Sequence, residues 1–361
     1  MGITALSGLL ERYKIMSNGL VLGKFAPLHK GHQLCIERSI AENDNTYLMI
    51  YDCPEVTSIP LQERVSWIQH LYPHVKIIEC WDGDNTVSTH PRVCRNHERY
   101  IKKMLNGVKI DNFYSSEFYG AHVSKALKAK DCRVDTARNA VPISGTQIRE
   151  SPYLYRQYMD PVVYRSFIKV VMITGAPSTG KSTLCKALSK RYNTVWVPEY
   201  GRNYWARHNQ NRRLTLDQLD TIAVTHLKLV ERAVMKARNY LFVDTDAIVT
   251  RNFAKYYHGR STHKLDVLAD WTHKLYDLIA LCADDIPYDD TEDRSGEANR
   301  KVFQKQIKSE LKFRHIPYFN VWGSLDQRMN LVERELDVPR WRPQELLEPI
   351  LSANENESGF R

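Results

Sequence analysis

The chain has 361 residues and carries a formal net charge of +9 with a pI near 9.0, and at that length two domains are expected rather than one core. Its 43% hydrophobic and 26% charged residues exclude a disordered or fibrous chain, and no apolar run approaches the ~20 residues that span a bilayer. Cysteines 35, 53, 80, 94, 132, 185 and 282 form no Cys-x-x-Cys pair, which argues against a disulfide framework and for free thiols in a cytoplasmic protein.

Taken in chain order, MGITALSGLLERYK lacks the basic start of a signal peptide, and Leu6 stands where a myristoylation signal needs Ser or Thr. Leu20-Val21-Leu22 reads as a strand, followed by a loop and a helix beginning near His32. Tyr47 to Tyr51 is a second strand, and a helix starts at Pro60 with Leu61, Val65, Ile68 and Leu71 on one face before Pro73 stops it. Val75 to Cys80 and Phe113 to Ser116 are further strands. His90, Cys94 and His97 form an incomplete set of metal ligands.

The stretch SPYLYRQYMDPVVYR, residues 151–165, breaks this alternation, and we place a boundary there between domains 1–165 and 166–361. The second begins with the buried-strand run Ile168 to Ile173. Thr215 and Gln218 form a capping-box pair for a long helix with Leu219, Ile222, His226, Leu229 and Ala233 on its inner face, so His226 reads as a packed residue rather than a ligand. Leu241 to Val243 is a buried strand ending at Asp244, and SANENESGFR is a solvated tail. Strands alternating with helices in both halves predict an α/β protein with two parallel sheets.

The second half's phosphate motif is Gly175-Ala176-Pro177-Ser178-Thr179-Gly180-Lys181-Ser182, followed by Thr183. It has the G-x-x-x-x-G-K-[ST] form, in which backbone N–H groups cradle phosphates, Lys181 reaches the terminal phosphates and Ser182 offers its hydroxyl to Mg²⁺. Asp244, in YLFVDTD, ends a strand where such proteins place a Mg²⁺-organising carboxylate, with Asp246 the alternative and a natural helix N-cap. Glu199 ends the next strand after the phosphate loop, suited to accept a proton from an attacking hydroxyl or to bind a ribose diol. Tyr200, Arg202 and Trp205 follow it as substrate-binding candidates. IPYDDTEDRSG places Arg294 in a loop with the character of a lid over ATP.

The first half carries Gly23-Lys24-Phe25-Ala26-Pro27-Leu28-His29-Lys30-Gly31-His32 after its first strand, two histidines three apart at a strand–helix turn that can face a bound phosphate. Downstream, Ile143-Ser144-Gly145-Thr146-Gln147-Ile148-Arg149 offers Ser144 or Thr146 as a helix cap and Arg149 for polyphosphate.

GxFxPxHxGH with ISGTxxR resembles the nucleotidylyltransferase superfamily. Adding YSSEFYG at 114–120, the phosphate loop and EYGR at 199–202, the chain is similar to the bifunctional nicotinamide mononucleotide adenylyltransferase and ribosylnicotinamide kinase family (NadR type), over roughly residues 18 to 325. That resemblance implies a Rossmann-like transferase domain of the HxGH type followed by a P-loop kinase domain. The kinase would phosphorylate nicotinamide riboside with ATP, and the transferase would adenylylate the mononucleotide with a second ATP, giving NAD and pyrophosphate. It further implies Mg²⁺ as cofactor, small-molecule partners only, and no nucleic acid or membrane; homo-oligomerisation is left open. Two departures stand out. Too few residues precede the first strand for the DNA-binding segment some members carry, and residues 81–97 differ from the family pattern, leaving the acceptor-base pocket unassigned. A fusion acting on other acceptors and a nucleotide-sensing regulator are the rival readings.

Overall fold

The computed structural model describes residues 16–83, 89–289 and 297–337. The chain divides into two compact units between Val163 and Tyr164.

In the first unit β1 (Asn18–Gly23), α1 (Lys30–Glu42), β2 (Asn45–Tyr51), α2 (Leu61–Leu71), β3 (Lys76–Cys80), α3 (Pro91–Leu105), β4 (Asn112–Ser115), α4 (Gly120–Leu127), β5 (Lys130–Arg133) and α5 (Gly145–Glu150) follow in order. The strands form one parallel sheet, ordered β3-β2-β1-β4-β5. β1 is central because Leu20, Val21 and Leu22 are all apolar and buried, which suits a strand covered by helices on both faces. The strands read from sequence are present, with ends that differ by one or two residues. The first helix starts two residues before His32, at Lys30, because His29 serves as its N-cap. On α2 the buried set is wider than one stripe: Arg64 and Trp67 are enclosed along with Leu61, Val65 and Ile68, while Leu71 is half-buried.

The boundary falls in α6 (Pro161–Arg165). The second unit continues with β6 (Lys169–Thr174), α7 (Lys181–Arg191), β7 (Trp196–Val197), α8 (Tyr200–His208), α9 (Leu216–Val234), β8 (Tyr240–Asp244), α10 (Ala247–His258), α11 (His263–Leu275), β9 (Leu278–Cys282), α12 (Glu297–Phe313), β10 (Phe319–Val321) and α13 (Leu325–Leu336). Its sheet is also parallel, ordered β10-β9-β6-β8-β7. Thr215 and Gln218 close the anticipated capping box on α9. The inner face of α9 departs from the sequence reading beyond His226: Val230 and Val234 are buried and Leu229 and Ala233 are not. A helix turns every 3.6 residues, so a stripe that alternates steps of three and four drifts off the core over several turns.

Phe242 lies in the middle of β8, fully buried among Val171, Ile173, Leu188, Leu278 and Val321. Removing the ring leaves a cavity that surrounding strands cannot collapse to fill. Phe242→Ala is expected to destabilise the protein by about 3–5 kcal/mol in urea unfolding, and a loss under about 1 kcal/mol would contradict this core assignment.

Candidate functional site

Each unit has one principal cleft, set at the C-terminal ends of its parallel strands where the chain reverses direction across the sheet, the place such sheets leave open for ligands.

The cleft of the first unit, about 440 Å³, is lined by Gly23, Lys24, Phe25, His29, His32, Ser144, Thr146 and Arg149, so the residues of the two phosphate segments in this half come together. Phe25 takes φ +46 and buries its ring edge-on to His32, centroids 5.0 Å apart. The rings of His29 and His32 stack at 3.8 Å. His29 Nδ1 accepts the Gly31 N–H at 3.1 Å, which leaves Nε2 as the proton-bearing atom of a neutral ring. A Cβ at Gly31 would lie 3.0 Å from the His29 ring, tighter than ordinary contact, so the ring would have to shift. Burial, with Arg138 adding to it, lowers the His29 pKa to about 4. His32 is lowered too, by burial first and then by His29 and Arg138, against the Pro27 carbonyl.

Arg149 donates to the Ala26 carbonyl (2.6 Å) and to Thr146 Oγ1 (3.0 Å), tying α5 to the histidine turn. Of the two proposed caps, Ser144 fills the role, in a capping box with Gln147. Beneath the turn, buried Arg64 donates to the carbonyls of Lys24 (2.5 Å), Tyr51 (2.8 Å) and Ile59 (3.2 Å), fixing where β1 and β2 end.

Several lining residues were not found from sequence. Arg138 projects from a loop organised by Asp135, whose carboxylate accepts the Ala140, Val141 and Asn139 N–H groups and is held below the usual range by them. Only the turn-forming character of Asp135 marks that loop in the sequence. At the far end Tyr51 bonds His97 (3.1 Å) and His122 bonds Glu98 (3.0 Å). His97 and Cys94 therefore line the cleft, while His90 caps α3 through the Arg92 N–H (3.3 Å).

The cleft of the second unit, about 170 Å³, is lined by Pro177, Ser178, Thr179, Gly180, Lys181, Ser182 and Thr183 together with Glu199, Arg202 and Trp205. Gly175 and Ala176 lie outside this lining. Gly175 has φ +144, and a Cβ there would meet the Cys282 carbonyl at 2.9 Å, so no other residue fits at the start of the loop. Gln304 bridges the Ala176 N–H (2.9 Å) to the Cys282 carbonyl (2.8 Å), and buried Arg328 donates to the Thr179 carbonyl (2.6 Å). Lys181 Nζ folds over the loop to the Ala176 carbonyl, 2.9 Å away. Fully buried Asp244 accepts the Ser182 hydroxyl at 2.5 Å. Asp246 is instead the N-cap of α10 and is also bonded by Thr272 (2.9 Å).

Tyr200 departs from its sequence reading in position: it packs on the apolar cluster of α9 and does not line the cleft. The remaining wall is apolar, from Leu214, Leu219, Ile222, Val249, Phe253 and Tyr257, and helical periodicity alone reads such residues as core. The Trp205 indole N–H faces the Tyr257 hydroxyl without closing a hydrogen bond. Of the suggested lid, Asp289 donates its N–H to Ser178 Oγ (2.8 Å), and Arg294 lies outside the described residues. No helix among the described residues is long and apolar enough to cross a membrane.

Fold and site together define a two-unit α/β protein with a P-loop in its second unit. Consistent with this, a family model described as "AAA domain" matches residues 170–328. The chain is 29% identical over 322 residues to the trifunctional NAD biosynthesis/regulator protein NadR of Escherichia coli (strain K12), a match covering 84% of this chain and 78% of that one. The protein of the same description from Salmonella typhimurium matches equally, so the resemblance to NadR-type proteins holds along most of the chain. Two solved structures share the fold: NadR protein in complex with NAD and AMP-PNP (TM-score 0.51, 24% identity, 91% of this chain and 98% of that one) and NadR protein in complex with NR (TM-score 0.53, 23%, 90% and 98%).

The histidine pair makes stability depend on pH in a definite direction. With His29 at about 4 in the folded chain against 6.5 for the free group, the unfolded state binds more protons between those values, so stability is complete above about pH 7 and falls as pH drops towards 4. Urea midpoints at about pH 7.5 and about pH 5 should differ less for His29→Gln than for the parent, and equal differences would contradict the assignment.

Proposed function

We propose that the chain is a bifunctional enzyme of NAD biosynthesis, converting nicotinamide riboside to NAD with two molecules of ATP. One observation supports this reading: a His-x-Gly-His turn and a P-loop each follow the central strand of their own parallel sheet, the first in the N-terminal unit and the second in the C-terminal one. The similarity to NadR proteins, and the NAD, NR and AMP-PNP described in the related structures, supply the substrates. The first unit is then a Rossmann-like HxGH adenylyltransferase domain and the second a ribosylnicotinamide kinase domain.

In the second unit the riboside 5′-hydroxyl attacks the γ-phosphorus of ATP, the bond to the β-phosphate oxygen breaks, and ADP leaves. Loop N–H groups and Lys181 take up the charge on the transferring phosphoryl group. Glu199 is assigned to the riboside hydroxyls and takes the proton that the 5′-hydroxyl loses, with Arg202 and Trp205 lining the same cleft, and the apolar wall excludes water. Ser182 and Asp244 present hard oxygen donors side by side, the donor set Mg²⁺ prefers. Ser182 and Asp244 would hold Mg²⁺, which would supply charge neutralisation for the ATP phosphates.

In the first unit the mononucleotide phosphate attacks the α-phosphorus of ATP and pyrophosphate departs. The neutral N–H groups of His29 and His32 stabilise charge on the non-bridging oxygens, and Arg149, with Arg138 in the same cleft, holds the leaving pyrophosphate. Neither step needs a covalent enzyme intermediate, so positioning and charge stabilisation provide the rate.

Paired variants test the assignment. Lys181→Ala is expected to abolish riboside phosphorylation while NAD formation from supplied mononucleotide persists. His32→Ala should slow pyrophosphate release from ATP and mononucleotide by about 10²–10³-fold with riboside phosphorylation almost unchanged. Loss of both activities in either folded variant, or wild-type pyrophosphate release in His32→Ala, contradicts the two-site reading.

A further inference from the structure

Thr245, directly after Asp244, has φ +76, a conformation that β-branched residues rarely adopt. Strain of this kind persists only where surrounding contacts hold it, and here three do. The Thr245 N–H donates to the Ile173 carbonyl of β6 (3.0 Å). Its hydroxyl donates to Asp244 Oδ1 (3.1 Å). Its carbonyl faces His226 Nε2 at 3.2 Å. A carbonyl only accepts, so Nε2 carries the proton; buried Nδ1 has no hydrogen-bond partner among the described residues.

Asp244 is engaged at both oxygens by this arrangement, Oδ1 by Thr245 and Oδ2 by Ser182. The chain must pass from the end of β8 to the N-cap of α10 within one residue, and Asp246 is already fixed by Val249 and Thr272. Were Thr245 to relax to negative φ, its peptide planes would rotate and carry the Asp244 carboxylate away from Ser182.

We propose that His226, on α9, is a positioning residue for phosphoryl transfer: its Nε2–H clamps the Thr245 carbonyl, holds that residue in the left-handed region, and so keeps Asp244 aimed at Ser182. The inference rests on the kinase reading of the second unit. It assigns a role to a histidine that helical spacing reads as core packing.

The test uses the full chain with three changes: His226→Leu, which fills the space without a donor; His226→Gln, which keeps one; and Thr245→Gly, which removes the strain. Mn²⁺ affinity in the presence of the β,γ-imido analogue of ATP is read by electron paramagnetic resonance, beside thermal unfolding and the riboside kinase assay. His226→Leu should weaken Mn²⁺ binding about 10–100-fold, the usual cost of losing a partner that orients a metal ligand, with the riboside KM within about twofold. His226→Gln should restore most of the affinity, and Thr245→Gly should recover part of it in the Leu background. Wild-type Mn²⁺ affinity in His226→Leu, or equal losses in the Leu and Gln variants, overturns the proposal. Should the Leu variant not fold, His226→Gln alone must hold Mn²⁺ within about twofold, and a larger loss overturns it. A wild-type chain that fails to phosphorylate the riboside sinks the kinase reading instead, while the Mn²⁺ comparison still reads the clamp.

Discussion

A buried parallel strand that turns into a helix leaves the first N–H groups of that helix without backbone partners, at the positive end of its dipole. Both units place this unsatisfied edge at the centre of their sheets, after β1 and after β6. The remainder of each site follows from how that edge is dressed. In the second unit the loop commits its Ala176 N–H to Gln304, and Gly175 and Gly180 adopt left-handed backbone angles that favour the absence of a side chain. In the first unit the His29 ring takes one N–H for itself and stacks on His32, so that turn offers imidazole donors as well as backbone.

Such exposed turns keep their shape because buried polar groups brace them from below. Arg64 under the first turn and Gln304 and Arg328 around the second bond mainly to backbone carbonyls and N–H groups at strand ends. A buried guanidinium is costly unless its donors are met, and these spend theirs on the backbone of the binding turns. The same economy extends to Asp244, which is buried yet satisfied by Ser182 and Thr245.

Legibility in the sequence followed locality. The two phosphate motifs, the strand before each, the Thr215 cap, a cap at Ser144 or Thr146 and the strand-end position of Asp244 depend on contiguous residues whose chemistry is set within a turn, and they are readable; the choice of Ser144 needs the structure. The cleft walls were not. Leu219, Ile222 and Phe253 look like core by period, and only the tertiary arrangement turns them to a cavity. Arg138 lies in an irregular loop where spacing carries no signal. Tyr200 is a substrate-binding candidate by its nearness to Glu199 in sequence, but its place in the first turn of α8 directs it to the apolar cluster of α9. Thr245 was invisible for another reason, since nothing in DTD announces a positive φ.

The central claim is that the two phosphorus atoms of the NAD made from riboside come from different positions of two ATP molecules, one through each turn. Supplying nicotinamide riboside with ATP labelled either at the α- or at the γ-phosphorus and counting label in isolated NAD tests this directly. Equal incorporation of α- and γ-label from riboside, and of α-label alone when mononucleotide replaces it, is the predicted result. NAD that carries no γ-label from riboside, or no NAD at all, would contradict the account.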